Sequence, residues 1–273
     1  MTAGVAYLLA TLIGVFITPD GIVVGADTAL STVAGHVASQ KKYCVTGPRS
    51  VATLQGSYLL QDVVTKATIE LYERFRELCS HLGDPARSGT LREQAEYIAN
   101  ALKIDLAAFL TGVPADEVVR MYASTPIVAR VAVTGYTEGK PESIVIGIGI
   151  ATDRATNRWE AQVRGLTRLT FNDCGVRFQG QESVVTALRT DTDARVTRAE
   201  RQQADVAKLS ALIRGKCDDA SIRTAPSMFV QAVRLTMTLG SDYGIPKGTV
   251  GMPVDVIVIP REGSIEVTRI ESW

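Results

Sequence analysis

Leu12-Ile13-Gly14-Val15-Phe16-Ile17-Thr18-Pro19-Asp20-Gly21-Ile22-Val23-Val24-Gly25-Ala26-Asp27 is the stretch whose reading decides the fold. Two apolar runs rich in strand formers flank Thr18-Pro19-Asp20-Gly21. In that tetrapeptide proline presets φ, and glycine is expected at the positive-φ position of a turn. The whole reads as an antiparallel β-hairpin. Neither arm alternates cleanly between apolar and polar residues, so both faces are expected to be covered, as in the middle of a layered fold.

Working outward, His36 to Gln40 and Lys42 to Val45 suggest a third strand, with Pro48-Arg49 as a turn and Ser50 to Leu54 returning. Leu59, Leu60, Val63, Ala67, Ile69, Leu71, Phe75 and Leu78 recur near helical spacing, which predicts one long helix up to Cys79, ended by Gly83-Asp84-Pro85. A second helix is expected from Thr90 to Phe109. Strands follow at 127–133, 143–150 and 160–166, with a shorter one within 170–178. Helices then run from Gly180 to Leu188, from Val196 to near Arg214, and onward from Pro226, a residue tolerated in a first turn. Strands at 254–259 and 265–268 close the chain. The order of strands, two helices, strands, helices and two strands predicts an α+β protein. Its two stacked, mainly antiparallel sheets would lie between helical layers, an αββα sandwich. With no linker, repeat or break in composition, residues 11–273 read as a single domain preceded by a leader, propeptide or signal remnant over 1–10.

Composition bounds the function. The 273 residues carry 29 Lys+Arg against 29 Asp+Glu, so the net charge is zero. A neutral chain lacks the electrostatic footprint of a nucleic-acid or anionic-membrane partner. At 46% hydrophobic and 21% charged it is an ordinary globular composition. No stretch approaches the ~20 apolar residues of a spanning helix. The apolar run Gly4 to Ala10 is short for a signal-peptide core and lacks a basic flank. Cys44, Cys79, Cys174 and Cys217 form no CxxC pair, and only His36 and His81 could join them, so a zinc site is not expected. The even count permits two disulfides without arguing for them, so the disulfide state stays open and buried free thiols are the favoured reading.

Four features of the first 60 residues stand together: Thr11 at the start of the first strand, Asp27 at the end of the second, Lys42 on the third, and Gly56 at the turn that follows. Thr11 with Thr18-Pro19-Asp20-Gly21-Ile22-Val23-Val24-Gly25-Ala26-Asp27, Gly35-His36-Val37-Ala38-Ser39-Gln40-Lys41-Lys42 and Ala52-Thr53-Leu54-Gln55-Gly56 resembles the β-type subunits of the proteasome family, which are N-terminal nucleophile hydrolases. The 16 residues from Thr11 to Asp27 and the 14 from Lys42 to Gly56 match the family's separations. The 15 from Asp27 to Lys42 are one short, so Lys41 stays open as a second candidate. The likeness is dense over residues 11–60 and continues to 273 only as an order of elements.

The resemblance implies an amide-bond hydrolase, a threonine-type peptidase whose nucleophile is Thr11 once residues 1–10 are removed. A threonine hydroxyl needs a base, and a terminal Thr11 would supply its own α-amine. Lys42 would favour the deprotonated hydroxyl, Asp27 would fix Lys42, and the Gly56 N–H would face the developing oxyanion. Asp242, in Ser241-Asp242-Tyr243-Gly244, matches the family's aspartate before the last strands, and Leu54 and Tyr58 fall where the family lines its specificity pocket. Near 179–180, where the resemblance implies a supporting serine, this chain has Gln179 and Gly180. The later serine is absent too, Thr249 being the nearest hydroxyl. No metal or organic cofactor is implied. The substrate would be a peptide or a small amide, and a homo-oligomer is compatible, although the polar segment 192–205 reads as an added surface that would block a ring. The compartment is open between cytoplasm and export. Two rival readings are a catalytically silent structural or binding relative of the fold, and an amidase or acylase using the same nucleophile.

Overall fold

The computed structural model describes residues 11–32, 35–37, 40–56, 59–61, 68–83, 89–123, 127–171, 174–180, 182–190, 194–245 and 250–272. In chain order the strands and helices are β1 (Leu12–Thr18), β2 (Gly21–Asp27), β3 (Leu30–Thr32), β4 (Gly35–Val37), β5 (Tyr43–Gly47), β6 (Ser50–Gly56), β7 (Leu59–Gln61), β8 (Thr68–Glu70), α1 (Leu71–Leu82), α2 (Leu91–Thr111), α3 (Ala115–Tyr122), β9 (Ile127–Thr137), β10 (Lys140–Asp153), β11 (Arg158–Thr170), β12 (Gly175–Gly180), α4 (Ser183–Thr190), α5 (Ala194–Gln202), α6 (Ala204–Ile213), α7 (Ala225–Leu239), β13 (Val254–Pro260) and β14 (Glu266–Ile270). They belong to two compact units. One comprises Tyr43–Thr134 and Glu142–Leu169, and the other the described parts of 10–42, 135–141 and 170–273.

The second unit is built on the hairpin. Its sheet has the order β12-β1-β2-β13-β14. β1 and β2 pair antiparallel with Phe16 opposite Val23 and Gly14 opposite Gly25, and every residue of both strands is buried. The Thr18 hydroxyl donates to the Asp20 carboxylate at 2.7 Å and accepts from the Gly21 N–H at 3.1 Å. Asp20 in turn accepts from the Ile222 N–H at 3.0 Å, which ties the turn to the approach of α7. One detail differs from expectation: Gly21 does not take a positive φ. Glycine is required there by space, since a Cβ would stand 2.7 Å from Ile222 Cγ2 and 2.8 Å from the Ile259 carbonyl.

Helices α4 to α7 bury their apolar faces on this sheet through Leu12, Phe16, Val23, Val254 and Val256. The paired glycines Gly14 and Gly25 open a window for Phe229 of α7: a Cβ on Gly25 would lie 2.3 Å from its ring. Phe229 is fully buried and meets Phe16 edge-to-face, with ring centroids 6.4 Å apart. Burial of one such side chain contributes about 1.5–3 kcal/mol.

The first unit holds the sheet β11-β10-β9-β6-β5 and helices α1 to α3. Its core joins Ala52 and Leu54 of β6, Val131 and Val133 of β9 and Ile146 and Ile148 of β10 to Phe75, Ile98, Leu102 and Leu106 of α1 and α2. The expected start of α2 is a capping box: Glu93 N–H donates to Thr90 Oγ1 at 3.2 Å, and the Glu93 carboxylate accepts from Thr90 N–H at 2.8 Å.

The α+β class and the two mainly antiparallel sheets stand as expected, with four corrections in detail. The apolar spacing over 59–79 is not one helix. The short pair β7 and β8 precedes α1, where the β-branched Thr68 and Ile69 favour strand over helix. The polar helix of 196–214 breaks at Gln203, whose φ −128° and ψ 113° are extended, into α5 and α6. Lys42 precedes β5 instead of lying on it, and residues 35–37 form a small hairpin of their own with β3. Finally, the cysteines are not free. Cys44–Cys79 and Cys174–Cys217 are disulfides, each with Cα atoms 6.1 Å apart. They join positions 35 and 43 residues apart in sequence, a proximity that only folding creates.

Candidate active site

The hairpin carries Asp27 to the end of β2, where Val254 of β13 is its backbone partner on one side and β1 runs on the other. There the ladder opens, and the Asp27 carboxylate takes over its hydrogen bonding: Oδ1 accepts from the Leu12 N–H at 2.6 Å. The chain leaves β2 with Thr28 bound to the Pro253 carbonyl through its N–H, at 3.0 Å, and its hydroxyl, at 2.7 Å. It returns alongside itself, the Gln40 N–H donating to the Thr28 carbonyl at 2.9 Å. This return delivers Lys42. Its Nζ donates to Asp27 Oδ1 at 3.1 Å and to the Ala29 carbonyl at 2.7 Å.

Asp27 and Lys42 are both fully excluded from solvent. Burial pushes the Asp27 carboxyl up, opposed by the Lys42 charge and by backbone N–H groups of Leu12 and Gly251. Burial pushes the Lys42 ammonium down, opposed by Asp27. One carboxylate oxygen thus holds both a buried cation and the backbone of the residue that follows Thr11. Thr11 itself is 2% exposed. A buried basic group held by the carboxylate that also binds the backbone next to a threonine suits proton-transfer or nucleophilic chemistry.

The two adjacent lysines are now distinguished. Lys42 is the partner of Asp27, whereas Lys41 is exposed and lies in the field of Asp255 on β13. Asp255 is buried at 3% exposure and stands 3.9 Å from Arg269 of β14. Burial raises its carboxyl, against the opposing charges of Arg269 and Lys41.

Asp242 lies in a short 3-10 turn, Gly240–Tyr243, after α7. It is about half exposed and is ion-paired with Arg195 of α5, whose guanidinium also sits 5.9 Å from the Tyr243 ring centroid. Gly56 and Leu54 belong to the other unit. Gly56 ends β6 at φ +141°, packed so closely that a Cβ would stand 2.4 Å from the Val128 carbonyl, a position that tolerates glycine alone. Leu54 is a fully buried member of that unit's core. Tyr58, Thr249 and the leader with Ala10 lie outside the described residues.

Three participants had no signal in the sequence: the Leu12 N–H, the Ala29 carbonyl and the Gly251 N–H. Backbone groups of any residue look alike in a sequence, and only the fold aims them.

No family model matches the chain, and no curated protein sequence does. Solved structures do. The chain is similar to the Anbu complex of Pseudomonas aeruginosa in its helical assembly, at 14% identity and a TM-score of 0.52, over 95% of this chain and 86% of that one. It is also similar to a Gly-1 mutant of Anbu from Hyphomicrobium sp. strain MC1, at 14% identity and a TM-score of 0.49, over 96% and 87%. The chain therefore has the fold of Anbu, a proteasome-like N-terminal nucleophile fold. The narrower expectation of a β-type proteasome subunit is corrected: the match that carries the fold is an Anbu structure. At 14% identity the P. aeruginosa match establishes a fold without a family. Among the described residues no helix is long and apolar enough to cross a membrane.

Proposed function

We propose that this chain is an amide-bond hydrolase of the N-terminal nucleophile type, with Thr11 as nucleophile after cleavage of the Ala10–Thr11 bond. The observation that carries the reading is the buried Asp27 carboxylate, which holds the Lys42 ammonium and the Leu12 N–H on one oxygen. That geometry keeps a cation within one residue of Thr11.

The chemistry follows in order. The neutral α-amine of Thr11 takes the hydroxyl proton as Oγ attacks the carbonyl carbon of the amide. The ammonium so formed gives its proton to the departing nitrogen, leaving an ester on Thr11. Water, deprotonated by the same amine, then hydrolyses the ester and restores Oγ–H. Lys42 stabilises the developing alkoxide, and Asp27 holds it in place. Substrate is a peptide or a smaller acyl amide. Self-association belongs to the same reading, supported by the helical assembly of the P. aeruginosa Anbu complex. Two disulfides suit an exported chain, since oxidising compartments are where they persist.

The test is a chain beginning at Thr11, assayed on a panel of peptides and acyl amides beside its Thr11→Ala variant. Turnover that falls to background in the variant is expected. A folded chain with a free Thr11 amine that cleaves nothing on the panel leaves the silent relative as the reading.

A further inference from the structure

The strand beside β1 carries a side chain with a buried oxygen that has no hydrogen-bond partner among the described residues. Gln179 of β12 pairs in register with Ile13, and Gly180 with Leu12. The neighbouring residues Val176 and Phe178 pack into the core under α4 to α7. Alternation along the strand sends Gln179 to the opposite face, the one that carries Ile13. Thr11, one residue before β1, continues the Ile13 face by the same alternation. Gln179 is then its diagonal cross-strand neighbour, at a Cβ separation of ~7–8 Å that long side chains span. The Gln179 Oε1 is buried, with no hydrogen-bond partner among the described residues. A buried acceptor without a donor carries a desolvation cost that a native site normally relieves.

Resting on the reading of Thr11 as a matured N-terminus, we propose that Gln179 is a positioning residue whose Oε1 accepts a hydrogen bond from the Thr11 α-ammonium. Hydrolysis adds water across the Ala10–Thr11 bond, leaving a carboxylate on Ala10 and an ammonium on Thr11. Where the intact chain has one amide N–H at Thr11, the mature chain has three N–H bonds. Maturation thereby supplies the donor that the buried Oε1 lacks. The contact holds the amine in one orientation relative to Oγ, and it favours the protonated form.

Several charged groups share this sheet and its surroundings. They are Asp27 on β2, Lys41 and Lys42 before β5, Arg177 on the same face of β12, Asp255 and Arg269 on β13 and β14, and the Asp242–Arg195 pair at the turn after α7. None changes when Gln179 alone is replaced, so a difference between variants reports the carboxamide.

The experiment compares chains that begin at Thr11 and carry Gln179, Gln179→Leu or Gln179→Glu. Trace acetic anhydride is reacted with each across pH 5–10, and acetylation of the N-terminal peptide is read by mass spectrometry. The Gln179→Leu amine is expected to titrate about one pH unit lower than the parent, and the Gln179→Glu amine higher. Gln179→Asn, which is too short to reach, substitutes for the leucine variant if that one does not fold. The same midpoint in every folded chain overturns the proposal. The readout needs no turnover. A moved midpoint in a chain that cleaves no amide keeps the contact and removes the hydrolase reading, while turnover with unmoved midpoints does the reverse.

Discussion

Replacing Lys42 by methionine probes the centre of the site. The substitution keeps the length of the side chain and deletes its charge. Asp27 is left fully buried, with the Leu12 N–H at 2.6 Å and no counter-ion. Breaking a buried pair in this way costs about 3–5 kcal/mol. The Ala29 carbonyl also loses its 2.7 Å donor, which adds about 1–3 kcal/mol. The first part depends on pH, because Asp27 can escape its charge by taking a proton. Its carboxyl, already raised by burial, rises further without Lys42. Between the unfolded value of 3.8 and that raised folded value, the folded state holds a proton that the unfolded state has lost. Stability therefore falls as pH rises through this interval, by about 1.4 kcal/mol per pH unit. Urea denaturation at pH 4 to 8 should show a small deficit near pH 4 that grows toward neutrality. The Asp27→Asn, Lys42→Met double variant keeps an acceptor for Leu12 and removes the stranded charge. It should recover the pH-dependent part and retain only the loss at Ala29. A deficit that is flat from pH 4 to 8, or a double variant no more stable than Lys42→Met at pH 8, refutes the reasoning.

Two further outcomes are expected. Gly25→Ala should destabilise by about 1–3 kcal/mol, because its Cβ meets the Phe229 ring at 2.3 Å inside a closed core; thermal unfolding checks this, and Phe229→Leu in the same chain should return part of the loss. Asp255→Asn should raise the melting temperature at pH 7 and lose that advantage as pH falls toward 4, since the raised Asp255 carboxyl weakens the fold above 3.8. A melting temperature lowered at pH 7 by this substitution would instead make the Arg269 pairing the dominant contribution.

The meeting of Asp27 with a lysine was legible in the sequence. Asp27 ends an apolar strand and a lysine returns 15 residues later, and these are the two groups that meet. Spacing favoured Lys42 yet left Lys41 open, because consecutive residues in extended chain point in opposite directions and the register is set by the Gln40–Thr28 hydrogen bond. Helical spacing misread 59–79, since an apolar period says nothing of where a short strand pair interrupts it. Asp242 was readable as a carboxylate near the C-terminal strands, but its partner Arg195 lies 47 residues away on a helix whose break at Gln203 has no glycine or proline to announce it.

The sequence by itself determined the hairpin at 12–27, the strand-rich and helix-rich blocks and the neutrality of the chain, because turn chemistry and apolar content are properties of adjacent residues. Tertiary structure decided what depends on distant segments meeting. It closed Cys44 on Cys79 and Cys174 on Cys217, buried Lys42 against Asp27, fitted Phe229 over the Gly14–Gly25 window and left the Gln179 Oε1 buried without a partner among the described residues. Each of these is a short-range contact between residues far apart in the chain, and such contacts exist only once the packing of the sheets and helices has set which side chains face each other.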